Sequence, residues 1–463
     1  MPKNLWFLTE ERPKSNVIQT ILATFLKDFG FVGVIRPLII RPILRNNKFT
    51  FTYEVTGFEC KKVENIYIKT VTGNSSFVDF LIFYQDSEPK AQDEPIYAIE
   101  ETKTDDRESR NTGVYQRCSK FVFVDFYYPK AKKIMLYNLQ VEQKEVTTDT
   151  NVFGTKMLKT LSVSIIGKKG TELEKFNPFD SIDEFIELKN KMENPRYGQP
   201  VKLLKKENKI EISAKLLKGK SLSHDPNIGM TTIMAKVLRN LGWNKEIQIT
   251  NHQLPNQKSV GKKNKFILIA NKIGISLENL TIPKVEINED YWRYDNDGEK
   301  LGTIFIHLVV ENFTNGKSIY ENHAGSERGY FFPLSGEPIA LEKYKDRTLY
   351  KAGDKKQIIE IPDLILLDPK EKEIINIEGE KYSNRNAGIL QIKTFDFIEK
   401  VYIKKHYPNF KIIRTVVLFG SEETSIVEIE VGFLLNKNGQ LILSVKSPKL
   451  FQEAIKNLLD FWN

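Results

Sequence analysis

The sequence predicts an α/β (α+β) chain of two cores in tandem, each a mixed sheet flanked by helices, the second carrying a large insertion. Three observations predict it. The 463 residues suffice for two or three domains. Two apolar strands far apart in the chain each hold a single aspartate, and each is followed by a strand that ends in charges. Helix, strands, helix and strand then recur in the same order in both halves.

Asn16 to Phe29 sets Val17, Ile18, Ile21, Leu22, Phe25 and Leu26 on one helical face. Ser15 reads as its N-cap and Gly30 as its stop, before Phe31. A similar helix begins at Asn227, uses Ile228, Ile233, Met234, Val237 and Leu238, and stops at Gly242 before Trp243. Phe77 to Tyr84, with Asp79, and Ile96 to Lys103 read as strands. Their counterparts are Ile358 to Leu367, with Asp363, and Ile374 to Lys381. Asp106 to Lys120 and Asn386 to Lys404 read as the following helices, and Val122 to Tyr137 and Lys411 to Phe419 as further strand. Ser181 to Met192 and Pro448 to Phe461 close the halves as helices. The division falls at 1–200 and 201–463, through the lysine-rich stretch 194–220. Residues 244–354 lack a counterpart, contain strand-like runs such as Gly302 to Val310, and read as the insertion.

Composition narrows the class. A net charge of +9 is compatible with a nucleic-acid partner, although a lysine-rich solvated surface gives the same balance. No apolar run is long enough to cross a bilayer and Met1 to Arg12 has no signal-peptide core, so a cytoplasmic protein without a membrane partner is expected. Cys60 and Cys118 have no histidine at ligand spacing, which argues against a zinc or disulfide framework. His224, His252, His307, His323 and His406 form no ligand pair along the chain and read as structural.

The strands carry the chemistry. Charged side chains seldom sit in apolar strands unless paired or bound to metal. Adjacent strand ends can bring an Asp and a Glu within reach of one ion, and carboxylate oxygens are the hard ligands that magnesium requires. A neighbouring lysine stabilises charge on a phosphate. These parts suit phosphodiester hydrolysis.

Asp79 with Glu101-Thr102-Lys103 resembles the PD-(D/E)XK motif of restriction-type nucleases, with Val78 where proline often stands. Pro362-Asp363 followed by Glu378-Gly379-Glu380-Lys381 looks like a second copy. The resemblance covers both core regions and leaves out residues 244–354. It implies catalytic roles for Asp79, Glu100 or Glu101, Lys103, Asp363, Glu378, Glu380 and Lys381. It implies magnesium held by Asp79, Glu101, Asp363 and Glu378. Two alignments stay open. Strand alternation puts Glu101 and Lys103 on one face, satisfying E-x-K, whereas matching IEETK to IEGEK pairs Glu100 with Glu378. In the second copy an acid, Glu380, stands where lysine is usual, and Gly379 would let Lys381 curl back. What the resemblance implies is a type II restriction endonuclease cutting double-stranded DNA, one site per strand of an asymmetric target. A monomer suffices for that, with a homodimer as the other option.

Arg107, Arg110, Asn111, Gln116, Arg117 and Lys120 crowd the segment after the first site, and Asn384 and Arg385 follow the second. Such side chains hold phosphates and read base edges, although a solvated amphipathic helix has the same composition. Arg328, in the polar loop Asn322 to Tyr330, is a further candidate for base recognition. The rival readings are a structure-specific repair or resolving nuclease, and a DNA-binding protein whose second site is a relic.

Overall fold

The computed structural model describes residues 1–45, 48–73, 78–90, 92–102, 113–137, 149–166, 176–192, 201–213, 226–260, 265–284, 294–295, 300–323, 328–419, 433–435, 441–443 and 447–462. They form a mixed α/β structure with three main sheets.

The first sheet has eight strands, in the order Gly33–Arg45, Lys48–Cys60, Val63–Thr70, Lys3–Thr9, Phe80–Tyr84, Tyr97–Thr102, Lys132–Tyr137 and Ser164–Ile166. Lys3–Thr9, Phe80–Tyr84 and Tyr97–Thr102 run antiparallel in turn, and Lys132–Tyr137 then pairs parallel to the last of them. Both faces are covered. Helix Ser15–Phe29 lays Val17, Ile18, Ile21, Leu22 and Phe25 against Leu5, Phe7, Phe80, Ile82 and Ile99. Helix Gly113–Tyr127 covers the other face, where Phe121, Val122 and Val124 join Leu8, Leu81, Phe83 and Ala98.

Two local expectations change here. Gly30 is the stop, with φ +62° and its chain neighbour's N–H returned to Leu26, but Ser15 is the first helical residue and not the cap. Lys14 holds the cap position, drawn to Glu321 at 2.7 Å. Val122 to Tyr127 continues the helix rather than starting a strand. Its run of apolar residues is buried on several sides, between the sheet and helix Pro226–Asn240, so no polar stripe marks the helical period.

Helix Pro226–Asn240 exists and stops at Gly242 as expected, but it does not open the second core. With helix Lys265–Ile273 it covers a separate four-stranded sheet, Lys202–Lys205, Lys209–Ser213, Glu246–Thr250 and Ile275–Leu277, whose last three strands are parallel. The third sheet has the order Lys317–Glu321, Leu364–Asp368, Glu373–Lys381, Lys411–Phe419: antiparallel, antiparallel, parallel. The described strands of residues 244–354 are divided among four sheets: two in the sheet of Lys202–Lys205, Tyr294–Asp295 paired with Thr72–Gly73, Lys317–Glu321 in the third sheet, and Arg328–Phe331 paired with Ile339–Glu342.

The element that completes the third sheet is helix Lys300–Phe313, which contains Gly302 to Val310, expected as strand. It is buried almost all round because it lies between two sheets. Ile304 and Leu308 pack into the first, and Ile306, Val309 and Val310 pack with Leu364, Leu366, Ile375 and Ile377 of the third. Helix Lys449–Trp462 shares that face, and the turns from Asp396 to His406 cover the opposite one. The strand polarity thus matches in the first and third sheets, but chain order does not. In the first, strand Lys3–Thr9 precedes its helix; in the third, helix Lys300–Phe313 precedes strand Lys317–Glu321.

Candidate functional site: two carboxylate clusters

Asp79 stands one residue before strand Phe80–Tyr84, which pairs with Tyr97–Thr102 in the register Phe80 to Ile99. That register sets the Asp79 carboxylate on the backbone N–H of Glu101, which donates to Oδ2 at 2.6 Å. Alternation along the strand then separates the two adjacent glutamates. Ala98 packs on the face of helix Gly113–Tyr127, and Glu100 follows it; Tyr97 and Ile99 pack on the opposite face, and Glu101 follows them. From the helix, Lys120 Nζ lies 2.9 Å from Glu100 Oε1 and 4.0 Å from Asp79 Oδ1. The structure therefore groups Asp79, Glu100 and Lys120, all largely buried. Glu101 is turned away from Lys120, toward the side where it acts on Arg12.

Burial alone would lower the Lys120 pKa, but Glu100 and then Asp79 outweigh it and raise it above the ordinary lysine range. Lys120 is consequently a fixed positive charge. Glu10, just past strand Lys3–Thr9, joins the cluster electrostatically. Its Oε2 is 3.9 Å from Lys300 Nζ. Burial pushes its pKa up, with Asp79 adding to the rise and Lys300 and Lys120 opposing it.

The second cluster repeats the first at backbone level. Asp363 precedes strand Leu364–Asp368, the register is Leu364 to Ile377, and Asp363 Oδ2 accepts the N–H of Gly379 at 2.9 Å. Asp79 and Asp363 thus correspond, as do Glu100 and Glu378, Glu101 and Gly379, and Thr102 and Glu380. The pairing of IEETK with IEGEK is the one that the geometry follows.

Gly379 does not serve to curl Lys381 back. It stays in the ladder opposite Val417, at no positive φ, and Lys381 continues the strand opposite Phe419. Its lack of a side chain makes room for helix Lys300–Phe313: a Cβ there would lie 2.7 Å from Thr303 Cγ2. Glu380 leans on helix Arg385–Gln391, where a Cβ on Gly388 would meet its Cγ at 2.9 Å. Two residues before Glu378, Asn376 donates to Glu399 at 2.8 Å, and Arg414 donates to both Glu399 oxygens at 2.7 Å. That network ties the covering turns to the sheet.

One helix serves both clusters. Lys300 reaches toward Glu10 beside the first, and Thr303, one turn on, touches Gly379 in the second. No protein-family model, curated protein or solved structure matches this chain. Among the described residues no helix is long and apolar enough to cross a membrane.

The remaining expected residues divide three ways. Lys103, Arg107, Arg110 and Asn111 lie outside the described residues. Gln116 and Arg117 belong to helix Gly113–Tyr127, and Arg328 to strand Arg328–Phe331, with side chains outside the description. Asn384 and Arg385 are exposed directly after the second cluster, and Arg385 lies over the Tyr382 ring at 4.8 Å. Lys120, expected at DNA, instead turns into the carboxylates. Glu10, Lys300 and Thr303 were not legible as site residues; the acid pair Glu10-Glu11 at the end of an apolar strand was the one available signal. The histidines also depart from expectation, since His307 Nδ1 and His323 Nε2 are 3.0 Å apart.

Proposed function

We propose that this protein is a magnesium-dependent endonuclease of double-stranded DNA, of the PD-(D/E)XK type, with one catalytic cluster for each strand. The observation that carries the reading is the repeated geometry: an aspartate held by a backbone N–H of the neighbouring strand, with a glutamate one residue before that N–H, in two sheets of the same polarity. The donors fit the ion. Among the described residues both clusters offer carboxylate oxygens and no Cys or His, a donor set that suits magnesium better than zinc. The raised Glu10 pKa is in keeping with this, since burial disfavours its ionised form, and nearby Asp79 adds to that, where a cation would favour it.

When bound, magnesium supplies Lewis-acid charge to the phosphodiester under attack. The chain supplies the rest. Glu101 N–H and Gly379 N–H aim the two aspartates, and Asp79 with Glu100, and Asp363 with Glu378, are the holding pairs. This assigns to Glu100 the role that the E-x-K spacing gave to Glu101. Lys120, kept protonated by its carboxylates, serves as positive charge beside the phosphate rather than as a base. Asn384 and Arg385, exposed directly after the second cluster, are the residues this reading assigns to the DNA backbone. Sequence specificity, of the type II restriction kind on an asymmetric target, rests on the family resemblance.

Incubation with unmodified plasmid or phage DNA and magnesium tests the reading. Discrete fragments that disappear in excess EDTA are expected. Intact DNA over a full range of magnesium would overturn the catalytic reading, and cleavage confined to branched substrates would replace restriction by a structure-specific nuclease.

A further inference from the structure

We infer that His307, His323 and Glu321 form a binding site for a first-row transition-metal dication, zinc ahead of magnesium, apart from both carboxylate clusters. One ligand atom from each lies within 4.8 Å of the others. His307 Nδ1 is 3.0 Å from His323 Nε2 and 3.8 Å from Glu321 Oε2. Zinc bonds of about 2.0–2.1 Å in a tetrahedron hold ligand atoms roughly 3.3 Å apart. The two spacings bracket that value.

The tautomer is set correctly for a ligand. His307 Nε2 is 3.1 Å from Glu311 Oε1, one turn along the same helix. A carboxylate there accepts, so Nε2 carries the proton and the Nδ1 lone pair faces His323 and Glu321. A carboxylate behind the far ring nitrogen is how proteins orient metal-binding histidines. Both histidines are buried, and a cavity of about 670 Å³ reaches Glu311, the partner of His307, and Arg12, the partner of Glu321.

The surrounding charges decide which ion. Arg12 Nε is 2.7 Å from Glu321 Oε2, Arg12 Nη1 is 2.6 Å from Glu311, and Lys14 is 2.7 Å from Glu321. Two cations already balance two carboxylates. An ion that binds through carboxylate charge alone gains little here, whereas one with strong affinity for imidazole gains two nitrogen ligands. The site has a mechanical consequence as well. Asn322, between two of the ligands, donates its N–H to the Asp363 carbonyl at 2.7 Å. Metal on both flanks of Asn322 pins the backbone that carries the second aspartate.

The alternative is a plain hydrogen bond from His323 Nε2 to His307 Nδ1. Titration of the metal-stripped full-length protein with cobalt(II), read by visible absorption, separates the two. One equivalent with intense nitrogen-ligated bands, displaced by zinc but not by magnesium, is expected. His323→Ala and the milder His323→Gln should each weaken cobalt affinity at least 10-fold, and Asp79→Ala should leave it unchanged. Unchanged affinity in both His323 variants, or zinc that neither binds nor raises the melting temperature of the parent, overturns the site in favour of a hydrogen-bonded histidine pair only. The readout contains no DNA, so it is independent of the endonuclease reading.

Discussion

The two carboxylate clusters share a backbone and differ in what stands around it. Each has an aspartate one residue before a strand, held by an N–H of the next strand, and a glutamate facing the covering helical layer. Around the first, Lys120 enters from helix Gly113–Tyr127 to bridge both carboxylates. In the second, the residue matching Glu101 is glycine, because helix Lys300–Phe313 comes close enough for Thr303 to fill the side-chain position. Even the order of helix and first strand along the chain is exchanged between the two sheets. Register and hydrogen bonding therefore position the acids, and connectivity can change beneath them. The side chains that tune the acids come from elements distant in sequence, and those differ between the two sheets.

The largest expected difference is in strand choice. Under the endonuclease reading, Asp79→Ala and Asp363→Ala should each lower cutting of one strand by about 10²–10³-fold or more. The two variants should nick opposite strands, accumulating open-circular plasmid that strand-labelled duplexes can distinguish. Asp363→Ala that still linearises plasmid at the parent rate would remove the second cluster from catalysis.

Lys120 tests whether the clusters are tuned separately. Lys120→Met should lower cutting of the first strand by about 10²-fold and leave the second strand unaffected. In EDTA it should also destabilise the fold, by roughly 1–3 kcal/mol in urea melts. That is less than for a fully enclosed pair, because the lysine is 21% exposed. Equal losses on both strands would mean that the sites do not work independently.

Gly379→Ala sharpens the steric contrast. The added methyl lies 2.7 Å from Thr303 Cγ2, and overpacking of this kind costs about 1–3 kcal/mol. Combining it with Thr303→Ala should restore most of the loss. A destabilisation that the second substitution fails to relieve would point to a backbone cause instead of the close helix.

The smallest effect is expected at Glu10. Its folded-state pKa is raised, so the folded protein holds that proton more tightly than the unfolded chain. Stability then falls as pH rises through the interval between the two values, and the ionised form is disfavoured at neutral pH. Glu10→Gln should stabilise the metal-free protein at pH 7.5, with the gain vanishing below the ordinary glutamate value of about 4.3. A gain that persists at pH 4 would assign the effect to packing rather than charge.

Much of this was legible along the chain because its cause is local. Gly30 and Gly242 stop their helices through left-handed backbone that few other residues adopt at low cost. The two aspartates announced themselves as acids beside apolar strands, and the pairing of IEETK with IEGEK already held the correct register. Choosing between Glu100 and Glu101 was not possible from the sequence: Tyr97, Ala98 and Ile99 are buried on both faces, so no alternation marks which side holds the site. Gly302 to Val310 hid its helix for a related reason, since packing between two sheets removes the polar stripe. Lys120 at the acids, Thr303 over Gly379 and His307 beside His323 were decided only by tertiary structure. Periodicity reports what a residue's own helix or strand does with water, whereas a contact between elements depends on how those elements pack, which nothing local encodes.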